Sequence, residues 1–281
     1  MMTVCSVKTI VLFFMLLLFP ATLFAQPGSF QKHWEIGTEI YHAVYEEPGI
    51  MQETGFMYGV KSAVAFHEKI VGPVDMIRIE GAYARGAQEY SSFWTGNIDA
   101  IDVSVFEIRG SLGHDVASDR TVWTPYLGLG YRWKKDSAYG LISTSGALGY
   151  DRESQYLYSP LGIAVEADLE NGWFVGGFVE YDYFWGGTQK SAFSDLHPLN
   201  SDLVNDQEKG YGLRASLKIR KQLHESFLVA FEPFLRYWSI DQSQPGEYME
   251  YNAFLGRAVQ KTGYEPENTS FGYGVNISLL F

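Results

Sequence analysis

Residues 271–281 read FGYGVNISLLF, and the chain stops there on a phenylalanine. Counting back from Phe281, Leu279, Ile277, Val275, Tyr273 and Phe271 share one face, while Leu280, Ser278, Asn276, Gly274 and Gly272 share the other. Side chains of a strand point alternately to its two sides, so this segment predicts one strand with an apolar side and a small or polar side. A strand of that kind suits a soluble core as well as a membrane wall. The rest of the chain decides between them.

The same alternation recurs ten times, at about 34–46, 54–66, 76–87, 101–113, 122–134, 156–168, 172–185, 210–220, 226–240 and 269–281. In TPYLGLGYRW, residues 124–133, Leu127, Leu129, Tyr131 and Trp133 oppose Tyr126, Gly128, Gly130 and Arg132. The fourth stretch, IDVSVFEIRGSL, changes phase between Val105 and Phe106, which predicts a bulge or a misplaced start. The connections between stretches have about 7, 9, 13, 8, 21, 3, 24, 5 and 28 residues. After the first, long and short alternate, as in an up-and-down barrel with tight turns at one rim and long loops at the other. The two longest, 186–209 and 241–268, each have room for a further hairpin. Ten strands are expected, with eight or twelve as the alternatives.

Residues 1–25 stand apart. One positive charge, Lys8, precedes the apolar run TIVLFFMLLLF, which Pro20 breaks before LFA and Ala25. The run is too short to span a bilayer, and the pattern predicts a secretory leader cleaved before Gln26. Residues 26–281 then form a single domain. Cys5, the only cysteine, lies in the leader, so disulfides do not hold the fold. The formal net charge of −12 becomes −13 without Lys8, which argues against a nucleic-acid partner. No later apolar stretch reaches the roughly 20 residues of a membrane helix, so a membrane protein of this sequence has to be a barrel.

Two features put lipid on the apolar face. The polar face repeatedly sets Gly or Ala beside a charge, as in Gly37 and Glu39 or Gly212 and Arg214, which suits a crowded interior. Large aromatics cluster near strand ends (Trp34, Trp133, Trp173, Tyr183, Trp185, Tyr237), as interfacial girdles require. With FGYGVNISLLF and TPYLGLGYRW, the chain resembles the transmembrane β-barrels of the Gram-negative outer membrane. The resemblance implies an all-β, antiparallel up-and-down barrel in contact with outer-membrane lipid. In that family an alternating C-terminal strand ending on an aromatic is read by the barrel-assembly machinery. That implies an assembly signal made of Tyr273, Val275, Ile277, Leu279 and Phe281.

A barrel of ten strands stands near the size whose interior side chains fill. The expected inward faces carry Glu39, Lys61, Arg78, Glu80, Glu107, Arg109, Arg132, Glu166, Glu180, Asp182, Arg214, Lys218, Glu232 and Arg236, seven acids and seven bases. A balanced set is what a packed interior needs, because an unpaired buried charge is very costly. Symmetric first hairpins would give a row Glu39, Lys61, Glu80. A shifted turn would bring Arg214 to Glu232, and Arg132 and Arg236 would neutralise Glu180 and Asp182 near the outer end of the seventh strand.

Signals for chemistry are thin. Outer-membrane hydrolases of this size place Asp/His or Ser/His groups at the outer rim, as the family resemblance implies. Here His33 precedes the first strand, His67, His114 and His224 fall in expected periplasmic turns, and His42 falls on the lipid face. Only His197, near Asp195 and Asp202, falls in an outer loop. That loop has side-chain oxygens for calcium but not the glycine and spacing of a defined calcium loop. GLGYRW lacks the third glycine and following helix of a phosphate cradle. No cofactor or metal is expected. The leading expectation is a non-enzymatic outer-membrane barrel with a charge-filled lumen and acidic, aromatic outer loops in a structural or recognition role. A narrow pore, or a rim hydrolase using Glu180, Asp182 and His197, are the alternatives.

Overall fold

The computed structural model describes residues 32–281; the expected leader lies outside them. Among these residues fourteen strands follow in chain order. They are β1 (Lys32–Glu47), β2 (Met51–Val71), β3 (Val74–Ser92), β4 (Gly96–Gly113), β5 (Val116–Ser118), β6 (Thr121–Ser137) and β7 (Arg152–Asp168). Then come β8 (Trp173–Ser191), β9 (Leu203–Gln207), β10 (Gly210–His224), β11 (Phe227–Ile240), β12 (Gly246–Asn252), β13 (Arg257–Gly263) and β14 (Asn268–Leu280). Ten of them, all but β5, β9, β12 and β13, form the wall, each antiparallel to its neighbours. β14 returns to β1, with Ile36 opposite Leu279 and Ile40 opposite Val275. The seam closes to its last residue: Phe281 N–H donates to Trp34 O at 3.0 Å, and Trp34 N–H donates to Phe281 O at 2.7 Å. Closure leaves no edge of unpaired backbone groups, which is the condition for strands to cross a bilayer.

The strands run further than the alternation suggested. β2 has 21 residues and β3 and β8 have 19 each, well beyond the roughly 9–11 that cross a membrane, so the wall stands clear of the bilayer. Residues 89–100, expected as a loop, belong largely to β3 and β4, which meet at a three-residue tip. Each of the two longest connections does contain strand. β9 extends the hairpin edge of β8, and β12 pairs with β13 as a separate two-stranded ribbon. Neither enters the wall, so the count stays at ten. His33 and His67 lie within β1 and β2 rather than outside the strands.

The phase change at Val105 and Phe106 is not a bulge. The pairing of β4 with β6 is continuous there, and the shift against β3 lies higher, between Gln88 and Tyr90. Ile101 and Val103 face inward with Glu107 and Arg109, and they pack with Met57 and Ala84. The chemistry of the inward face changes along the strand, from apolar near the outer rim to charged at mid-barrel. A period-2 reading registers that change as a slip.

The exterior is apolar. Ile36, Val60, Leu127, Leu129, Val179 and Ile277 are each 55–59% exposed, a belt that only lipid tails cover favourably. Trp34, Trp123 and Trp173 ring the short-turn end, and Phe56, Tyr183 and Trp185 lie toward the long-loop end. Leu127 sits between the two rings. Leu127→Arg is expected to cost about 2–4 kcal/mol in equilibrium unfolding from lipid vesicles, as for a cation at the bilayer midplane.

Candidate functional site

The candidate site is the lumen. Alternation turns odd residues of β1, β2 and β4 and even residues of β3, β6, β10, β11 and β14 inward. The lumen divides into three levels.

At the lower level a cavity of about 410 Å³ opens toward the short-turn rim, lined among others by Lys61, Glu80, Ser111, Tyr126, Phe178 and Glu232. Lys218 Nζ donates to Glu35 Oε1 at 2.9 Å and lies 3.3 Å from Glu232. Lys61 is 3.7 Å from Glu232. Arg78 bridges Glu35 and Glu80 at 3.2 and 2.9 Å, and at the mouth Arg220 pairs with the half-exposed Glu166.

The middle level is a partition. Arg109 donates from Nη1 to Glu180 Oε1 at 2.5 Å and from Nε to Glu80 Oε1 at 2.6 Å. Arg214 holds Glu107 with both terminal nitrogens, at 2.7 and 2.5 Å, and donates from Nε to Asp182 Oδ2 at 2.7 Å. Two phenols complete the set, Tyr158 fully buried and Tyr126 partly so: Tyr158 donates to Glu107 at 2.7 Å and Tyr126 donates to Glu180 at 2.8 Å. The inward glycines make room for these rings. A Cβ on Gly130 would lie 2.3 Å from the Tyr158 ring, and one on Gly162 would lie 2.4 Å from the Tyr126 ring. Arg236 pairs with Glu39 at 2.7 Å and stacks over Phe234. Glu107, Arg109, Glu180, Asp182 and Arg214 are at most 9% exposed. The voids within this level, about 20 and 60 Å³, have room for a few waters at most.

The upper level is a second cluster. Lys134 reaches Glu53 at 3.1 Å and Asp136 at 2.9 Å, and Arg152 holds Glu47 at 2.6 Å together with Glu265. Glu265 lies in the loop before β14, where burial pushes its carboxyl above the ordinary range; Arg152 opposes the shift and Glu47 adds to it.

All fourteen expected charges face the lumen, and thirteen make ion pairs within 4.0 Å. The exception among the described residues is Arg132, which lies over the Tyr156 ring. The expected partners differ. Glu39 stands opposite Gly59, and Lys61 opposite Gly37 and Ala82, so the row Glu39, Lys61, Glu80 does not form. Arg214 stands opposite Arg236 rather than Glu232. Glu180 and Asp182 are neutralised by Arg109 and Arg214 instead of Arg132 and Arg236. They also sit at mid-barrel, because β8 continues to Ser191.

Glu35, Glu47, Glu53, Lys134, Asp136, Arg152 and Glu265 escaped the sequence reading. Glu35 shares the face of Gly37 and Glu39, and Lys134 and Asp136 share the face of Arg132, so the same alternation carried onward would have reached them. Glu265 had no such signal.

The hydrolase candidates are not brought together. From Asp182 to the end of β8 is nine residues, about 30 Å of strand, and His197 lies beyond that end. Its ring stacks on Tyr251 at 4.0 Å, and its Nδ1 accepts from Leu199 N–H. Asp195 accepts from Asp151 N–H, and Asp202 holds Ser194 and Lys190. No group of three or more His, Cys, Asp or Glu among the described residues is placed to hold a metal ion.

No known family's sequence profile matches the chain, and no curated protein matches it. Among solved structures, the outer membrane protease OmpT from Escherichia coli superposes with a TM-score of 0.61 at 9% identity, over 93% of this chain and 99% of that one. The transport unit of the autotransporter AIDA-I from Escherichia coli gives 0.47 at 9% identity, over 96% and 95%. The translocator domain of the autotransporter NalP from Neisseria meningitidis gives 0.42 at 13% identity, over 89% and 88%. The first likeness is one of fold alone, and the other two are too loose to add to it. The chain is built as bacterial outer-membrane barrels are, and its apolar exterior around a charged interior makes it a protein of that membrane.

Arg214→Ala is expected to destabilise the barrel by about 3–5 kcal/mol, because it strands Glu107 and Asp182 in the partition. Arg132→Ala, with no carboxylate to strand, is expected to cost less than about half of that in the same urea titration.

Proposed function

We propose that this protein is a non-conducting outer-membrane barrel that presents its outer loops for recognition. The observation that carries this is the mid-barrel partition. Five charged side chains from three strands are interlocked there and almost wholly covered. A solute path would have to part them, and separating either arginine from its carboxylates leaves uncompensated charge in a poorly hydrated space. The narrow-pore reading needs the opposite arrangement, with acids on one wall and bases on the other.

Outside, the alternating face of Tyr273, Ile277, Leu279 and Phe281 is exposed to lipid and seals the seam against β1. That supports a role for this strand as the segment that assembly machinery would engage, since the barrel cannot close before β14 meets β1. Its partners in this reading are the lipid around the belt, the assembly machinery at the seam and an extracellular ligand at the loops.

In a planar bilayer the refolded chain is expected to insert and give no steady conductance above the bare membrane. Reproducible steps in a folded, inserted sample would overturn the closed-lumen reading and favour the pore.

A further inference from the structure

Above the partition, all five outer connections contribute to one cup of about 290 Å³. Its walls are largely apolar, with Ile50 from the first connection, Trp94 from the second, Leu148 from the third, Phe193 from the fourth and Tyr264 from the fifth. Its floor is charged. Glu47, Glu53, Asp136 and Glu265 line it and are each at most 5% exposed. Two bases serve these four carboxylates: Lys134 reaches Glu53 and Asp136 from beneath, and Arg152 holds Glu47 and Glu265. No other Lys, Arg or His lines the cup among the described residues. The floor therefore sets four carboxyl groups against two bases.

The two bases are shared closely. Lys134 Nζ lies 2.8 and 2.9 Å from the two oxygens of Asp136 and 3.1 Å from Glu53, and Arg152 serves both Glu47 and Glu265. Buried carboxylates in excess of their bases are costly, and a cation seated among them relieves that cost. A bare metal ion fits poorly, because it needs converging ligands. An organic cation tolerates carboxylates spread around a floor, and its apolar part would lie against the loop walls. The volume is at the small end for ligand pockets, enough for a head group and a ring or short chain.

We propose that this cup binds a small organic cation from the outside, with its ammonium or guanidinium head on the carboxylate floor and its apolar body against the loops. This rests on the recognition reading and gives the ligand its chemical class. The probe is 2-phenylethylammonium, titrated calorimetrically near neutral pH into the full chain refolded in detergent. Its neutral counterpart 2-phenylethanol and the anion 3-phenylpropionate are titrated in parallel. Saturable binding of the amine is expected, with the alcohol and the acid about tenfold weaker or silent. Glu265→Gln, in a loop, is expected to weaken the amine about tenfold. If that variant does not fold, Trp94→Ala at an exposed tip supplies the comparison, with a loss of about threefold expected from the missing wall. The proposal is overturned if the amine shows no saturable binding, if the alcohol binds as well as the amine, or if the folded variant tested binds like the parent. Conduction would show in the bilayer and an empty cup in the calorimeter, so the two readings fail separately.

Discussion

A charge inside a narrow barrel has to find its counter-charge inside the same barrel, and the whole interior is arranged around that constraint. Neighbouring strands do not supply most of the partners. Arg214 on β10 takes Glu107 from β4, Lys218 on β10 takes Glu35 from β1, and Arg109 on β4 takes Glu180 from β8. These bonds cross the lumen. Each joins segments that backbone pairing leaves apart, so the charges tie the wall from within while the ladder ties it around. Arginine is the residue for this work, because its planar fork can hold a carboxylate with two nitrogens, as Arg214 holds Glu107.

The cross-links also divide the space. Where arginines, carboxylates and the rings of Tyr126 and Tyr158 meet, the lumen narrows to small voids; below it opens toward the short-turn rim and above it toward the loops. Small residues permit this. Gly130 and Gly162 leave the space that the two tyrosine rings occupy, so the inward glycines and the lumen-facing phenols are parts of one packing solution. The outer face obeys the complementary rule. With polar groups satisfied inside, the exterior is left to side chains that lipid solvates.

Much of the fold was legible because a strand's period-2 pattern is local. Ten alternating stretches became ten wall strands, and FGYGVNISLLF became the closing strand with its apolar residues outward. Facing was legible for the same reason, so Glu39, Glu107 and Arg214 could be placed in the lumen from sequence alone. Partners were not. Which acid meets which base depends on the stagger accumulated around the barrel and on side-chain reach across it, and neither is written in any one strand. The assumption that pairs form between adjacent strands therefore gave Glu39 to Lys61, where the structure gives it to Arg236. Alternation also fails where a face changes chemistry, as at Ile101 and Val103, and beyond the bilayer, where Lys134 and Asp136 continue an inward face that no longer opposes an apolar one.

The central claim is that the paired charges close the lumen to solutes. Cys5 is the only cysteine, so with Cys5 replaced by serine a single thiol can be placed on either side of the partition. Ser111→Cys lines the lower cavity and Ser92→Cys lines the outer cup. In vesicles of known orientation, a small membrane-impermeant thiol reagent is expected to label Ser111→Cys from the short-turn side only and Ser92→Cys from the loop side only. Labelling of Ser111→Cys from the loop side in an intact vesicle would contradict the account, because the reagent could reach it only through the partition.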